Sequence, residues 1–155
     1  MVDTSVLIAL GKMGYLSLLQ RLFSEVLFAG SVVEEVGGGE LYAEVARLVD
    51  KGLARVAKAS NLELVELLSS SLGRGEAETI ALAMGVAADV VLLDDLRARR
   101  AARRLGIRVM GTLGALKLLM DAGHVRESPE ELCSALISQG FWVDAGLCVK
   151  VLGQG

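Results

Sequence analysis

Short apolar runs alternate with longer stretches of helical periodicity along the whole chain. Compact runs rich in Val, Leu and Ala predict strands, whereas apolar residues spaced three and four apart predict helices. The predicted strands are a very short one at residues 1–3, which leads into an apolar run at 6–8, and then 25–29, 53–58, 90–93 and 107–110. The predicted helices are 15–23, 31–36, 40–51, 61–72, 76–88, 96–105, 113–122 and 130–139, with one more in the tail.

This alternation predicts the fold class. Strands separated by helices favour a parallel sheet, because parallel neighbours need crossover connections. We therefore expect an α/β protein, a three-layer α/β/α sandwich with a central, mostly parallel sheet. No internal repeat or long linker interrupts the pattern, so we expect one domain over residues 1–155, with 128–155 a C-terminal helical extension packed on it.

Composition supports a folded, water-soluble chain. Of its 155 residues, 53% are hydrophobic and 23% are charged, which excludes a disordered tail. No apolar run approaches the ~18 residues of a membrane span, and no signal-peptide pattern precedes the first strand. We expect a cytoplasmic protein without a membrane partner.

Cysteine and histidine offer little chemistry. Cys133 and Cys148 form neither a C-x-x-C pair nor a ladder of spacings, so we expect two buried thiols rather than a disulfide or a zinc site. The single histidine, His124, follows Gly123 at a predicted helix end, where it belongs to a C-terminal cap. Any chemistry must come mainly from carboxylates, hydroxyls and arginines.

Acids follow two of the predicted strands directly. Asp3 ends the first strand, and Asp94 and Asp95 come after the run at 90–93. Functional groups of open parallel sheets gather at the carboxyl ends of strands, near the point where strand order reverses. The competing explanation is that each Asp caps the helix that follows it.

Two helix starts add further acids. Ser31 and Glu34 have the spacing of a capping box, which would leave Glu35 free to act as a ligand. Glu76 and Glu78 open another helix and lie about 200° apart around it, so at most one faces a shared site. Both also complement the helix dipole, which is a structural role.

Five segments in this order make the chain resemble a PIN domain, the metal-dependent ribonuclease fold that includes VapC-type toxins. The segments are Val2 to Ile8, Ser31 to Val36, Gly73 to Glu78, Leu92 to Asp95 followed by Arg97 and Arg99, and Gly111-Thr112. The resemblance covers residues 1–122 and implies a PIN-like fold. It implies an acidic site of Asp3, Glu35, Asp94 and one acid of the helix start, with Glu76 ranked above Glu78 by its interval to Asp94.

Carboxylates brought together repel one another unless a divalent cation joins them, and oxygen ligands without His or Cys indicate Mg²⁺ or Mn²⁺. Such a site favours phosphodiester hydrolysis by an activated water. We expect Asp95 to complete the negative rim as a further metal ligand. Three hydroxyls, Thr4, Ser5 and Thr112, support a ligand or a phosphate, or else cap helices.

An arginine-rich segment follows the acids. Residues 96–108 carry six arginines and no acid, which leaves −9 for the rest of a chain with a net charge of −3. A basic helix beside the acids would hold flanking phosphates, and the alternative is a solvated helix face. The predicted RNA-binding residues are Arg97, Arg99, Arg100, Arg103 and Arg104.

These observations predict a metal-dependent endoribonuclease, with RNA rather than DNA implied by the resemblance alone, and a toxin of a toxin–antitoxin pair as its biological setting. The alternative is a catalytically silent PIN-like module that binds RNA or a partner. An aspartyl-phosphate domain lacks its Asp-x-Asp pattern here, and no phosphate-binding P-loop is present. The mean hydropathy of +0.52 favours extra apolar surface for a homodimer or an antitoxin helix.

The six aromatic residues form no cluster of the base-stacking type along the chain. Those of the tail, Phe141 and Trp142, stand with Val143 and Leu147 on an apolar face. We expect that face to pack within the molecule.

Overall fold

Two pairs of short parallel strands flank the first three residues of the chain. In the computed structural model, which describes residues 1–154, β1 (Val26–Ala29) pairs with β2 (Ala54–Ala57). On the other side, β3 (Val91–Leu92) pairs with β4 (Val109–Met110). All of these pairings are parallel, as the alternation of strands and helices predicts.

Segment 1–3 joins the two pairs into one layer. The Val2 amide donates to the Leu27 carbonyl of β1 at 2.9 Å, and the Asp3 amide donates to the Leu92 carbonyl of β3 at 3.0 Å. The spatial order is therefore β2, β1, segment 1–3, β3, β4. The chain leaves this segment toward one edge of the sheet and returns to build the other, so Asp3 lies where strand order reverses.

Ten helices of the described residues, with a 3₁₀ turn at Leu16–Leu18, surround the strands. They are α1 (Thr4–Lys12), α2 (Leu19–Leu22), α3 (Gly30–Val36), α4 (Glu40–Asp50), α5 (Leu62–Ser69), α6 (Arg74–Gly85), α7 (Leu96–Arg104), α8 (Thr112–Asp121), α9 (Pro129–Ser138) and α10 (Ala145–Gly153). The apolar run at 6–8 belongs to α1. The mixed α/β fold with parallel strands and the α/β/α layering are confirmed.

The core lies between the strands and the helices that cover them. Helix α6 packs on β1 and β3 and contacts α7, and six consecutive residues of its body, from Thr79 to Met84, include five that are buried. On the other side, α1 contacts both α4 and α8. Phe28, Leu92 and Leu93 are almost fully buried between these layers. The strand predicted at 90–93 is present as β3, and both of its residues are buried.

The end of α8 is also as predicted. Gly123 has a φ of +79°, and the His124 amide donates to the Leu119 carbonyl at 2.9 Å. This is the left-handed ending that glycine favours after a helix.

The capping box predicted at Ser31 is wrong. Helix α3 begins one residue earlier, at Gly30, and no side chain caps it. Ser31 is consequently inside the first turn, where its hydroxyl is buried without a hydrogen-bond partner. Glu34 is exposed and lies 3.8 Å from Arg74 on α6.

The prediction of two free thiols is wrong as well. Cys133 on α9 and Cys148 on α10 form a disulfide, with their Cα atoms 5.9 Å apart. Both residues are buried, as expected. One pair separated by 15 residues leaves no pattern in the sequence, and only the packing of the two helices against each other brings the sulfurs together.

The tail departs from its prediction in a third way. Phe141 and Val143 are half-buried, but Leu147 is 53% exposed and Trp142 is 98% exposed. The apolar face of the tail is therefore only partly packed within the molecule. Among the described residues, no helix combines the length and apolarity needed to cross a membrane.

Reduction of the disulfide tests its contribution to stability. Closing a loop of this length restricts the unfolded chain, so dithiothreitol should lower the free energy of unfolding by about 3 kcal/mol in urea denaturation. The double variant Cys133→Ser/Cys148→Ser should have the same free energy of unfolding as the reduced protein, and dithiothreitol should not change it. A wild-type unfolding curve that is the same with and without reductant would show that the bond contributes nothing.

Candidate functional site

Asp3 is a buried carboxylate at the point where strand order reverses. It is 2% exposed, and its Oδ1 atom has no hydrogen-bond partner. Asp3 is the residue before α1, but its side chain does not cap that helix. A buried polar oxygen without a partner is rare in folded proteins and needs an explanation. The capping alternative therefore does not account for Asp3.

The electrostatics around Asp3 show which acids surround it. Burial raises the pKa of the Asp3 carboxyl to about 7, against an ordinary value of 3.8. An interaction with the Thr4 amide lowers that pKa somewhat, and the nearby carboxylates of Glu76, Glu35 and Asp94 raise it further. These three acids come from α3, from α6 and from the end of β3. We call Asp3, Glu35, Glu76 and Asp94 the acidic cluster.

Glu35 reaches the cluster from α3 because the second residue of α6, Gly75, lacks a side chain. The Glu35 carboxylate lies directly against Gly75, and a Cβ atom added there would clash with it. Gly75 is buried and has no positive φ, so its role is close approach rather than a turn. The sequence signal is the glycine of Gly73-Arg74-Gly75, whose partner only the fold reveals.

Glu76 has two functions at the start of α6. Its Oε2 atom accepts a hydrogen bond from the Gly73 amide at 3.2 Å, which caps the helix. Burial raises the pKa of Glu76; the Gly73 amide lowers it, and the carboxylates of Asp95 and Glu35 raise it again. A carboxylate that completes a helix cap is therefore also part of the acidic cluster.

Asp94 is held by the start of α8 rather than by α7, the helix that directly follows it in the chain. Its Oδ1 accepts from the Thr112 amide at 2.7 Å and its Oδ2 from the Thr112 hydroxyl at 2.6 Å. Thr112 is fully buried, so this pair ties the end of β3 to the start of α8. Gly111 makes room for it, because a Cβ atom there would lie 2.8 Å from Asp94 Oδ1 and 2.9 Å from Arg99 Nη1.

Two of the predicted acids, Asp95 and Glu78, have other contacts. Asp95 Oδ1 accepts from the Ala98 amide at 2.9 Å and caps α7, which is the structural alternative stated for strand-end acids. Glu78 turns toward the start of α3, where a Cβ atom on Gly30 would lie 3.7 Å from its Oε1. Glu78 does not contribute to the pKa of Asp3, whereas Glu76 does. The geometry favours Glu76 over Glu78.

Some of the predicted hydroxyl and arginine residues are buried or half-buried near the cluster, and the others are exposed. Thr4 Oγ1 is buried without a partner, while Ser5 is exposed. Arg99 is half-buried, and its Nε atom has no hydrogen-bond partner. The four remaining predicted RNA-binding arginines are exposed on α7: Arg97, Arg100, Arg103 and Arg104.

A cleft of about 1060 Å³ opens beside the cluster. Glu76, Asp94 and Asp95 line one part of it, and Lys12 and Arg99 supply positive charge. The tail forms the rest of its wall, including residues that the sequence does not connect with the acids: Gln139, Gly140, Phe141, Trp142, Val143, Asp144 and Leu147. Lys12 was detectable in principle, because it lies seven residues after Ser5 on one face of α1.

The cluster has the donors for a divalent cation but not a ready cage. In residues 1–154, no three Asp, Glu, His or Cys side chains are placed to hold one metal ion. Glu76 and Asp94 already accept hydrogen bonds from amides at helix starts. The donor chemistry fits, since all of the groups are carboxylate oxygens and Asp3 Oδ1 is without a partner.

Comparison with known proteins gives one match. A family model described as a PIN domain matches residues 1–154. The matched region includes the whole acidic cluster and continues through α9 and α10, beyond residue 122 where the resemblance in the sequence ends. No curated protein matches the chain.

The raised pKa of Asp3 predicts how its replacement changes stability. Its folded pKa of about 7 lies above its unfolded value, so stability from this group is present at low pH and is lost as pH rises through 7. In chelator, Asp3→Asn should therefore gain stability over the parent between pH 4 and pH 8, by up to about 4 kcal/mol. Urea unfolding at several pH values measures this difference.

Glu66→Gln is the matched control, because Glu66 is an exposed acid on α5 outside the cleft. The free energy of unfolding of this variant should equal that of the parent at every pH. An Asp3→Asn difference that stays constant from pH 4 to pH 8 would contradict the buried, ionisable state assigned to Asp3.

Proposed function

Because the chain belongs to the PIN-domain family, whose fold is of the nuclease type, we propose that it is a metal-dependent endoribonuclease that hydrolyses RNA phosphodiester bonds. The observation that carries the proposal is the buried, unpartnered carboxylate of Asp3, faced by three further acids where strand order reverses. A fold needs no such arrangement for stability, since like charges close together raise the free energy of the folded state.

The metal-binding residues in this proposal are Asp3, Glu35, Glu76 and Asp94, with Asp95 at the rim. A bound Mg²⁺ or Mn²⁺ supplies a water of lowered pKa and stabilises the departing oxygen. The protein holds the ligands in place: Thr112 orients Asp94 through two hydrogen bonds, and Gly75 admits the Glu35 carboxylate. Each depends on a helix start, where backbone amides fix side-chain direction.

Substrate binding is assigned to the positive groups of the cleft. Lys12 and Arg99 line it together with the acids, so they are placed to neutralise phosphates beside the one that is cleaved. The unpartnered Nε of Arg99 supports that role, because a half-buried guanidinium still has a donor to satisfy. The exposed arginines of α7 extend the positive surface outward. RNA as the substrate follows from the family resemblance.

The biological setting belongs to the proposal too. We assign the protein to the toxins of toxin–antitoxin pairs, with an antitoxin as partner and a homodimer as its assembly. Exposed apolar residues of α5, Leu62 at 71% and Leu67 at 69%, are consistent with a surface covered by a partner. The cytoplasmic location stays a prediction, and the Cys133–Cys148 disulfide is a bond that reducing compartments disfavour.

Cleavage assays on matched variants test the activity. Single-stranded RNA with Mn²⁺ should be cut by the wild type, whereas Asp3→Asn and Glu76→Gln should lower the rate by about two orders of magnitude or more, because each removes a carboxylate of the cluster. Glu78→Gln is the control on the same helix and should keep the wild-type rate. A chain that binds RNA without cutting it would favour the silent module, and cutting unchanged in Asp3→Asn would refute the assigned site.

A second pair of variants tests the approach of Glu35. Gly75→Ala should displace the Glu35 carboxylate and weaken Mn²⁺ binding about tenfold, as loss of a group that positions metal ligands does. Isothermal titration with Mn²⁺ measures this change. Gly85→Ala is the control on α6, because a Cβ atom there meets nothing within 4 Å. Equal Mn²⁺ affinity in both variants would show that Glu35 is no ligand.

A further inference from the structure

The side chain of Trp142 is 98% exposed, in the loop between α9 and α10. Tryptophan is the largest apolar side chain, and folding normally buries most of it. This one also lines the cleft that contains Glu76 and Asp94. An exposed indole beside a proposed catalytic centre is a feature that neither the core nor the helix packing explains.

The loop that carries Trp142 is held in place from both ends. The Phe141 amide donates to the Leu136 carbonyl at 3.0 Å, and the Asp144 carboxylate accepts from the Leu147 amide at 2.9 Å. The disulfide joins the two helices on either side of the loop. The indole is thus presented by a supported turn, which lowers the entropy lost when a ligand contacts it.

The same cleft combines flat apolar surface with two cationic and four acidic side chains. Phe141 and Leu96 line it together with Trp142, and Lys12 and Arg99 line it as well. Gln139, another lining residue, donates through Nε2 to the Lys12 carbonyl at 3.3 Å, which ties the tail to α1. Once a divalent cation neutralises the acids, as the proposed function requires, a ligand that fits offers both anionic groups and flat faces.

Single-stranded nucleic acid has this chemistry. Its phosphates are anions, and each unpaired base has a π face that stacks on aromatic side chains whatever the sequence. A duplex keeps its bases stacked on one another and unavailable. An apolar protein helix would satisfy the indole but would leave Lys12 and Arg99 without anionic partners.

We propose that Trp142, supported by Phe141, is the base-stacking site of this cleft and binds an unpaired RNA base next to the phosphodiester held at the acidic cluster. The substrate is then single-stranded RNA, and the C-terminal extension of residues 128–154 is part of the substrate site. This inference rests on the proposed nuclease function, and it adds a base contact to the phosphate contacts already assigned to Lys12 and Arg99.

Trp142 is the only tryptophan of the chain, so its fluorescence reports the site directly. A ten-nucleotide oligouridylate should quench that fluorescence saturably in Ca²⁺, whereas a blunt RNA duplex of the same length should not. Trp142→Ala should weaken binding of labelled oligouridylate about tenfold by fluorescence polarisation, and Trp142→Phe should restore most of the affinity. In Mn²⁺, Trp142→Ala should raise KM with little change in kcat, as loss of uniform binding does.

Tyr42→Ala is the control, because Tyr42 is a 47% exposed aromatic on α4 that does not line the cleft. It should leave both affinity and KM unchanged. The thermal stability of Trp142→Ala should match the wild type, since almost none of the indole is buried.

The outcomes separate this inference from the proposed function. Quenching and a tenfold loss in Trp142→Ala without any cleavage by the wild type would support the stacking site and refute the nuclease. Cleavage with an unchanged KM in Trp142→Ala would refute the stacking site and leave the nuclease intact. A blue shift of Trp142 that grows with protein concentration in the absence of RNA would also refute it, by showing that a second copy covers the indole.

Discussion

A buried carboxylate oxygen without a hydrogen-bond partner, Oδ1 of Asp3, is the constraint on which this structure depends. Asp3 lies between two pairs of parallel strands, and the backbone of segment 1–3 forms hydrogen bonds with both β1 and β3. Its side chain is buried, as are those of Val2 before it and Val6 after it. The sheet therefore places a charge where water cannot solvate it, and neighbouring acids make that placement less favourable.

Helix starts decide how the remaining acids are used. Amides in the first turn of a helix lack intrahelical partners, so they attract nearby carboxylates. Asp95 is held in this way by its own helix, Asp94 by α8, and Glu76 by the amide of Gly73. Asp3 Oδ1 and Glu78 Oε1 are buried without such a partner. The same backbone amides that stabilise the helices thus fix the orientations of the three carboxylates that they hold.

The tail links the architecture to the proposed substrate. Helices α9 and α10 pack against each other, and α10 also contacts α8, so the loop between them lies along the cleft rather than on a remote face. The family match through residue 154 includes this region. Phosphate contacts from α1 and α7 and an aromatic contact from the tail would together bind a flexible single strand, whose charge and bases alternate along its length.

The resemblance to PIN domains selected among the candidate acids, but periodicity alone predicted the parallel α/β fold and the order of its elements, strand ends indicated Asp3 and Asp94, and helix starts indicated Glu35, Glu76 and Glu78. These are local signals, since burial pattern and turn chemistry act over a few residues. Tertiary structure alone decided that Asp95 caps α7, that Glu78 lies near Gly30 at the start of α3, that Ser31 caps nothing and that Cys133 pairs with Cys148. It also left Trp142 in solvent beside the acids. Each of these outcomes depends on which distant segments meet in space, and no spacing within one segment encodes that meeting.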